Sequence, residues 1–204
     1  MTNYGFMKIF WGFLITAFDF RFASFNFLPD FLGFILILMG LTECMKYSPS
    51  FERARYLSIV LIIIMIPDIT ELFVIDNCLF PYVWINAFWP IYAIGGILNL
   101  IMMWFILGGI RELAMEAKMT ELDGDIKNLR AVYLIHGASL VSIFLFSHLS
   151  CPYLISPYYL PSLLRVIPII LVGIGIPIFV GLLYVLYEAH KIDSDLYSQA
   201  KEFI

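Results

Sequence analysis

Apolar runs of helical length, separated by short polar intervals, set the organisation of this chain. They fall at about 6–20, 29–45, 56–75, 82–109, 131–150 and 164–187. A helix crossing a bilayer needs about 20 mainly apolar residues, within a range of about 17–25. The last four runs reach that length easily, whereas the first two lie near its lower limit, with only about eight residues between them. The pattern predicts an all-α, polytopic integral membrane protein with about six transmembrane helices, forming one domain over 1–204. A re-entrant hairpin of the first two runs is the alternative at that end. The longest polar interval, Arg111–Arg130, reads as two helix ends around a turn at Asp123-Gly124-Asp125. The tail from Lys191 to Ile204 reads as a short surface helix.

Composition excludes the soluble alternative. The chain is 62% hydrophobic and 14% charged, with a mean hydropathy of +0.91. Soluble domains carry about 25% charged residues, and a water-soluble fold of this size has too little interior for so much apolar surface. The net charge of −4 comes without any basic run, which removes nucleic acid as a partner. No A-x-A-like cleavage site follows the first apolar run, so that run is expected to stay as a helix.

The cations give the orientation. Lys8, Lys46, Arg53, Arg55, Arg111, Lys118, Lys127, Arg130, Lys191 and Lys201 share one side of a six-span layout, and only Arg21 and Arg165 lie on the other. The positive-inside rule then makes both termini cytoplasmic. Phe80, Tyr82, Trp84 and Trp89, with Tyr153, Tyr158 and Tyr159, gather at the outer boundary, where aromatic rings favour the headgroup zone.

On this layout the unusual carboxylates collect toward the outer face. Asp19 ends the first run, Asp30 opens the second behind Pro29, and Asp68 and Glu71 sit in the outer half of the third. An ionised side chain facing lipid at mid-depth costs about 2.5–3.5 kcal/mol. Asp68 and Glu71, three residues apart, can share one helix face, and that face should point into the bundle or toward water. Pro67 frees a carbonyl one turn earlier and bends the helix there. Together Asp30, Asp68 and Glu71, with Asp19, are the candidate ligand-binding acids of an outward-facing cavity, and Arg165 is their countercharge. Simpler readings stand beside this one. Pro29-Asp30 suits a helix start, Asp19 and Arg21 suit a helix end, and an internal pair of Asp68 or Glu71 with an arginine is structurally sufficient.

Other polar positions point to packing. His136, Ser139, Ser147 and Ser150 fall within a sector of about 80° on the fifth run, a stripe expected to face protein, with serines bonding their own backbone. Gly33 and Gly40, Gly95 and Gly96, and Gly173, Gly175 and Gly181 allow close helix approach, and Pro177 is a candidate kink. Cys78 and Cys151 both fall in outer loops, where a disulfide between them is permitted. No HExxH, Gly-x-Ser-x-Gly, P-loop or Cys-x-x-Cys motif is present, so the chain is not expected to be an enzyme and implies no cofactor or metal.

The stretch Asp19-Phe20 followed by Phe27-Leu28-Pro29-Asp30-Phe31-Leu32-Gly33-Phe34 resembles a group of small multi-pass bacterial membrane proteins with an LPDF-x-G opening to the second helix. The likeness covers roughly the first 45 residues. It implies a bacterial plasma-membrane protein and carries over no catalytic or binding residue. Two functions remain open at this point. One is a transporter or small-molecule binding protein for a cation or amine, expected as a homo-oligomer or with a partner membrane subunit. The other is a non-transporting scaffold, assembly or immunity factor, or subunit of a larger complex.

Overall fold

Ser48 shows how the chain starts a helix. Its side chain accepts a hydrogen bond from the Ser50 backbone N–H at 3.0 Å, Pro49 follows, and Glu52 stands in the first turn. Cap, proline and acid each satisfy or complement the orphan donors of a helix start, and they open α3 (Pro49–Ile64). The computed structural model of the chain describes the backbone of residues 4–17, 21–22, 25–26, 30–65, 80–150 and 162–202. Side chains are described for 4–17, 31–65, 90–91, 93–143 and 173–194.

The fold is all-α. Besides α3 it contains α1 (Gly5–Ala17), α2 (Asp30–Cys44), α4 (Phe80–Glu116), α5 (Thr120–Ser150) and α6 (Ser162–Glu202). A two-residue antiparallel ladder, Arg21–Phe22 against Phe25–Asn26, lies between α1 and α2. Each helix packs on the one before it, α6 returns to α1, and α4 also touches α6. The result is a closed ring of up-and-down helices. Facing pairs mark the antiparallel registers: Phe51 on Gly109 for α3 and α4, Leu100 on Gly137 for α4 and α5, and Leu129 on Gly181 for α5 and α6. Tyr4 stacks on His190 with ring centroids 6.5 Å apart, which closes the ring. Fully buried Phe6, Ile37, Phe51, Met102, Ile106 and Leu186 fill its centre.

The seam between α1 and α2 is the tightest in the bundle. A Cβ on Gly12 would lie 2.6 Å from the Gly33 carbonyl oxygen, and one on Gly33 would lie 2.7 Å from that of Gly12. Gly5 and Gly40 repeat the arrangement seven residues away on each helix. Backbone therefore lies on backbone, the approach small residues permit between membrane helices.

Among the described residues two stretches, Ala93–Glu116 and Gly173–Ser194, are long and apolar enough to cross a membrane, while α1 and α2 are shorter apolar helices. Large aliphatic side chains stand outward: Ile135 is 70% exposed, and Ile63, Ile176 and Val180 are exposed as well. The helices overrun the apolar runs at several ends. α3 begins before residue 56 and α5 before 131, because a run of hydropathy marks apolar surroundings whereas helical hydrogen bonding continues beyond them.

The expected turn at Asp123-Gly124-Asp125 is a correction, since these residues lie inside α5. The chain turns earlier, at Ala117–Met119. Lys118 takes a positive φ of 58°, its N–H reaches the Met115 carbonyl at 3.1 Å, and the Met119 N–H reaches Ala114 at 2.9 Å. These are the two bonds of a Schellman closure with lysine in the left-handed position usually given to glycine. Glu121 and Asp123 then complement the start of α5. Gly124 has nothing within 4 Å of a built Cβ. Gly124→Ala and Lys118→Gly should therefore each stabilise the protein by about 0.5–1 kcal/mol, read as a raised thermal midpoint in detergent. A lower midpoint for Gly124→Ala would place residue 124 in a turn after all.

Candidate binding cavity

A cavity of about 320 Å³ opens among the helices. Its walls include Thr16 of α1, Phe34 of α2, Met65 just beyond α3, Asn99 of α4, Tyr133 of α5 and Phe179 of α6. The volume lies within the range of about 300–1,000 Å³ usual for small-molecule sites, and so does the character: mostly apolar walls with a few polar groups. Gly95 and Gly96 help make this room, because they put no side chain where α4 meets the lining.

The polar groups differ in how far they are committed. The Thr16 hydroxyl donates to the Phe13 carbonyl at 3.1 Å, within its own helix. The Asn99 Oδ1 is buried and has no hydrogen-bond partner among the described residues. A buried acceptor left without a donor costs about 1–3 kcal/mol, and a ligand with an N–H or O–H would offset that cost. One turn beyond Tyr133, His136 faces α6, where a Cβ on Gly175 would lie 3.1 Å from its Nε2, and its Nδ1 is buried without a partner. On the same stripe the Ser139 hydroxyl donates to the Ile135 carbonyl at 2.7 Å, the local back-bonding expected of it. Ser147 and Ser150 lie outside the described side chains.

The sequence-predicted acids have no described side chain at this cavity. Asp30 is the first residue of α2, as a helix-start acid should be, and its side chain is outside the described set. Asp19, Pro67, Asp68 and Glu71 lie outside the described residues, as do Cys78 and Cys151. Arg165 is in the first turn of α6, with its side chain also outside the set. Gly33 is buried in the α1–α2 seam. α6 continues as one helix through Pro177, which is exposed. Asn99 is the functional candidate that reading the sequence passed over. The available signal was an amide inside an apolar run, which Asn99 shares with Asn86.

At the opposite end of the bundle several polar side chains are paired. Lys8 meets Glu43, the Tyr47 hydroxyl donates to Asp193, which is only 2% exposed, and Ser48 and Ser50 donate to Glu112, Ser50 at 3.0 Å. Arg111 meets Asp123 at 2.6 Å. These bonds tie α1 to α2, the α2–α3 turn to α6, α3 to α4 and α4 to α5. They act as pins between neighbouring helices. Among the described residues no group of three or more His, Cys, Asp or Glu side chains converges to hold a metal ion.

The chain matches no protein-family model, no curated protein and no solved structure. The reading of its function therefore rests on the cavity and on the placement of charge.

Proposed function

We propose that this chain is a six-span protein of a bacterial plasma membrane, with both termini cytoplasmic, that binds a small amine or similar hydrogen-bond donor within its helix bundle, as a transporter or solute-binding protein would. The observation that carries this reading is a cavity of ligand size lined by Asn99, whose Oδ1 is buried in the wall without a partner among the described residues. The neighbourhood in sequence supports it. The lining residues Ala17 and Met65 stand two and three residues before Asp19 and Asp68, and Phe34 stands one turn after Asp30. Carboxylates at the rim of such a cavity would favour a cation, and a desolvated carboxylate there would also be suited to carrying a proton. The orientation is supported by ten of the twelve cations falling on the side of the paired polar end.

The test is a thermal-stability screen of the detergent-purified protein against inorganic cations, amines and vitamins, with Asp30→Asn and Asp68→Asn alongside. Binding to the native state alone raises the midpoint, by about 2.7 kcal/mol of stability at a hundredfold excess over Kd. An amine that shifts the parent, and shifts the folded mutants much less, is the expected result. No shift by any compound, with both mutants merely less stable, would overturn the binding reading in favour of a scaffold or partner subunit.

A further inference from the structure

Arg130 and Arg53, like Arg55 and Lys46 at the same end, have no carboxylate within ion-pair distance among the described residues. Arg130 and Arg53 each lie instead on an aromatic ring of α4. The Arg130 guanidinium is 3.3 Å from the centre of the Trp104 ring, and that of Arg53 is 5.7 Å from the Phe105 ring. The two arginines arrive from opposite flanks, Arg130 from α5 and Arg53 from α3. Between them runs the outward stripe of α4, marked by exposed Ile97 and Ile101.

The environment of Arg130 is short of negative charge. Its Nε is buried without a hydrogen-bond partner among the described residues. Burial first, and then repulsion from Arg111, lower its pKa from the ordinary value, and the attraction of Glu112 ranks below both. The Glu112 carboxylate is already engaged by Ser48 and Ser50, and Arg111 is engaged by Asp123. Gly108 leaves the helix surface bare where the guanidinium lies, since a Cβ there would be 3.5 Å from an Arg130 terminal nitrogen. A flat guanidinium stacked on one face keeps its N–H edge free for bidentate contact with a phosphate. Tryptophan belongs at headgroup depth, and basic pockets between helices on the cytoplasmic side suit anionic headgroups.

We infer that this surface of α4 binds the phosphate of an anionic phospholipid of the inner leaflet, with Arg130 as the main contact and Arg53 on the other flank. The inference rests on the membrane reading above and is independent of the cavity ligand. The test compares thermal midpoints in nanodiscs of phosphatidylcholine alone and of mixed phosphatidylcholine and phosphatidylglycerol. The mixed discs should raise the parent by about 2–4 °C, the size of one cation–headgroup contact in a chain of this length. Arg130→Gln should fold in phosphatidylcholine and lose most of that rise, while Lys127→Gln, which removes an exposed cation of α5, should keep it. Inorganic phosphate added to phosphatidylcholine discs should not reproduce the rise. If Arg130→Gln does not fold, Arg53→Gln is read in the same way, with a partial loss expected. No rise in the parent, or an equal rise in the parent and in the folded arginine variants, overturns the site. A protein that stays soluble without detergent and enters neither disc would instead overturn the membrane reading.

Discussion

Gly40→Ala should lower the thermal midpoint, although alanine is the better helix former. In an exposed helix the change would stabilise by about 1 kcal/mol. At position 40 the new methyl group meets the Gly5 carbonyl oxygen and comes to 2.6 Å from Ile9 Cγ1 and 2.9 Å from Ile9 N. Two of these neighbours are backbone atoms, which cannot rotate away. Separating α1 from α2 would also strip contacts from buried Phe6, Ile9 and Ile37. Overpacking of this kind costs about 1–3 kcal/mol, enough to reverse the sign. At about 2–4 °C per kcal/mol for a chain of this size, the fall is measurable by unfolding in detergent. Gly40→Leu and Gly12→Leu should yield no folded, monodisperse protein. A raised midpoint for Gly40→Ala would show that the two backbones are not in contact.

Asn99→Leu should act in the opposite direction on stability while abolishing binding. The substitution removes a buried acceptor without a donor, a defect worth about 1–3 kcal/mol, and puts aliphatic carbon into the cavity. The midpoint of the ligand-free protein should therefore rise by several degrees. The amine-induced shift of the parent should disappear, because both the acceptor and the space are gone. Opposed changes in stability and binding are the signature of a residue kept for function at some cost to the fold. A destabilised Asn99→Leu, or one that keeps the full ligand shift, would remove Asn99 from the site.

The parts of this architecture legible in the sequence are those set by local chemistry. The second apolar run, 29–45, predicts α2 within a residue at each end, because Asp30 suits a helix start and the run stops at the polar segment after Cys44. Gly33 and Gly40 are recognisable as packing positions. Gly5 and Gly12 are not, because their meaning depends on which helix lies opposite and in what register. The turn before α5 was misplaced for a local reason: Asp-Gly-Asp carries a strong turn composition, whereas the true turn uses a left-handed lysine that composition does not mark. Asn99 carries a weaker signal than a carboxylate because burying a neutral amide costs far less than burying a charge. What makes it significant is the absence of a donor, and that is known only once the surrounding helices are assembled.

The closed ring also has a consequence for how the protein is made. Helices leave the ribosome from the N-terminus, so the α1–α2 hairpin can form early, with its glycine seam sealed by neighbours in the chain. The cavity cannot form then, because Asn99, Tyr133 and Phe179 belong to α4, α5 and α6. α1 must also wait for α6 before Tyr4 finds His190. A chain released before α6 would leave one flank of α1 without its final partner. The cavity and the closed ring are thus completed in the same late step of biogenesis.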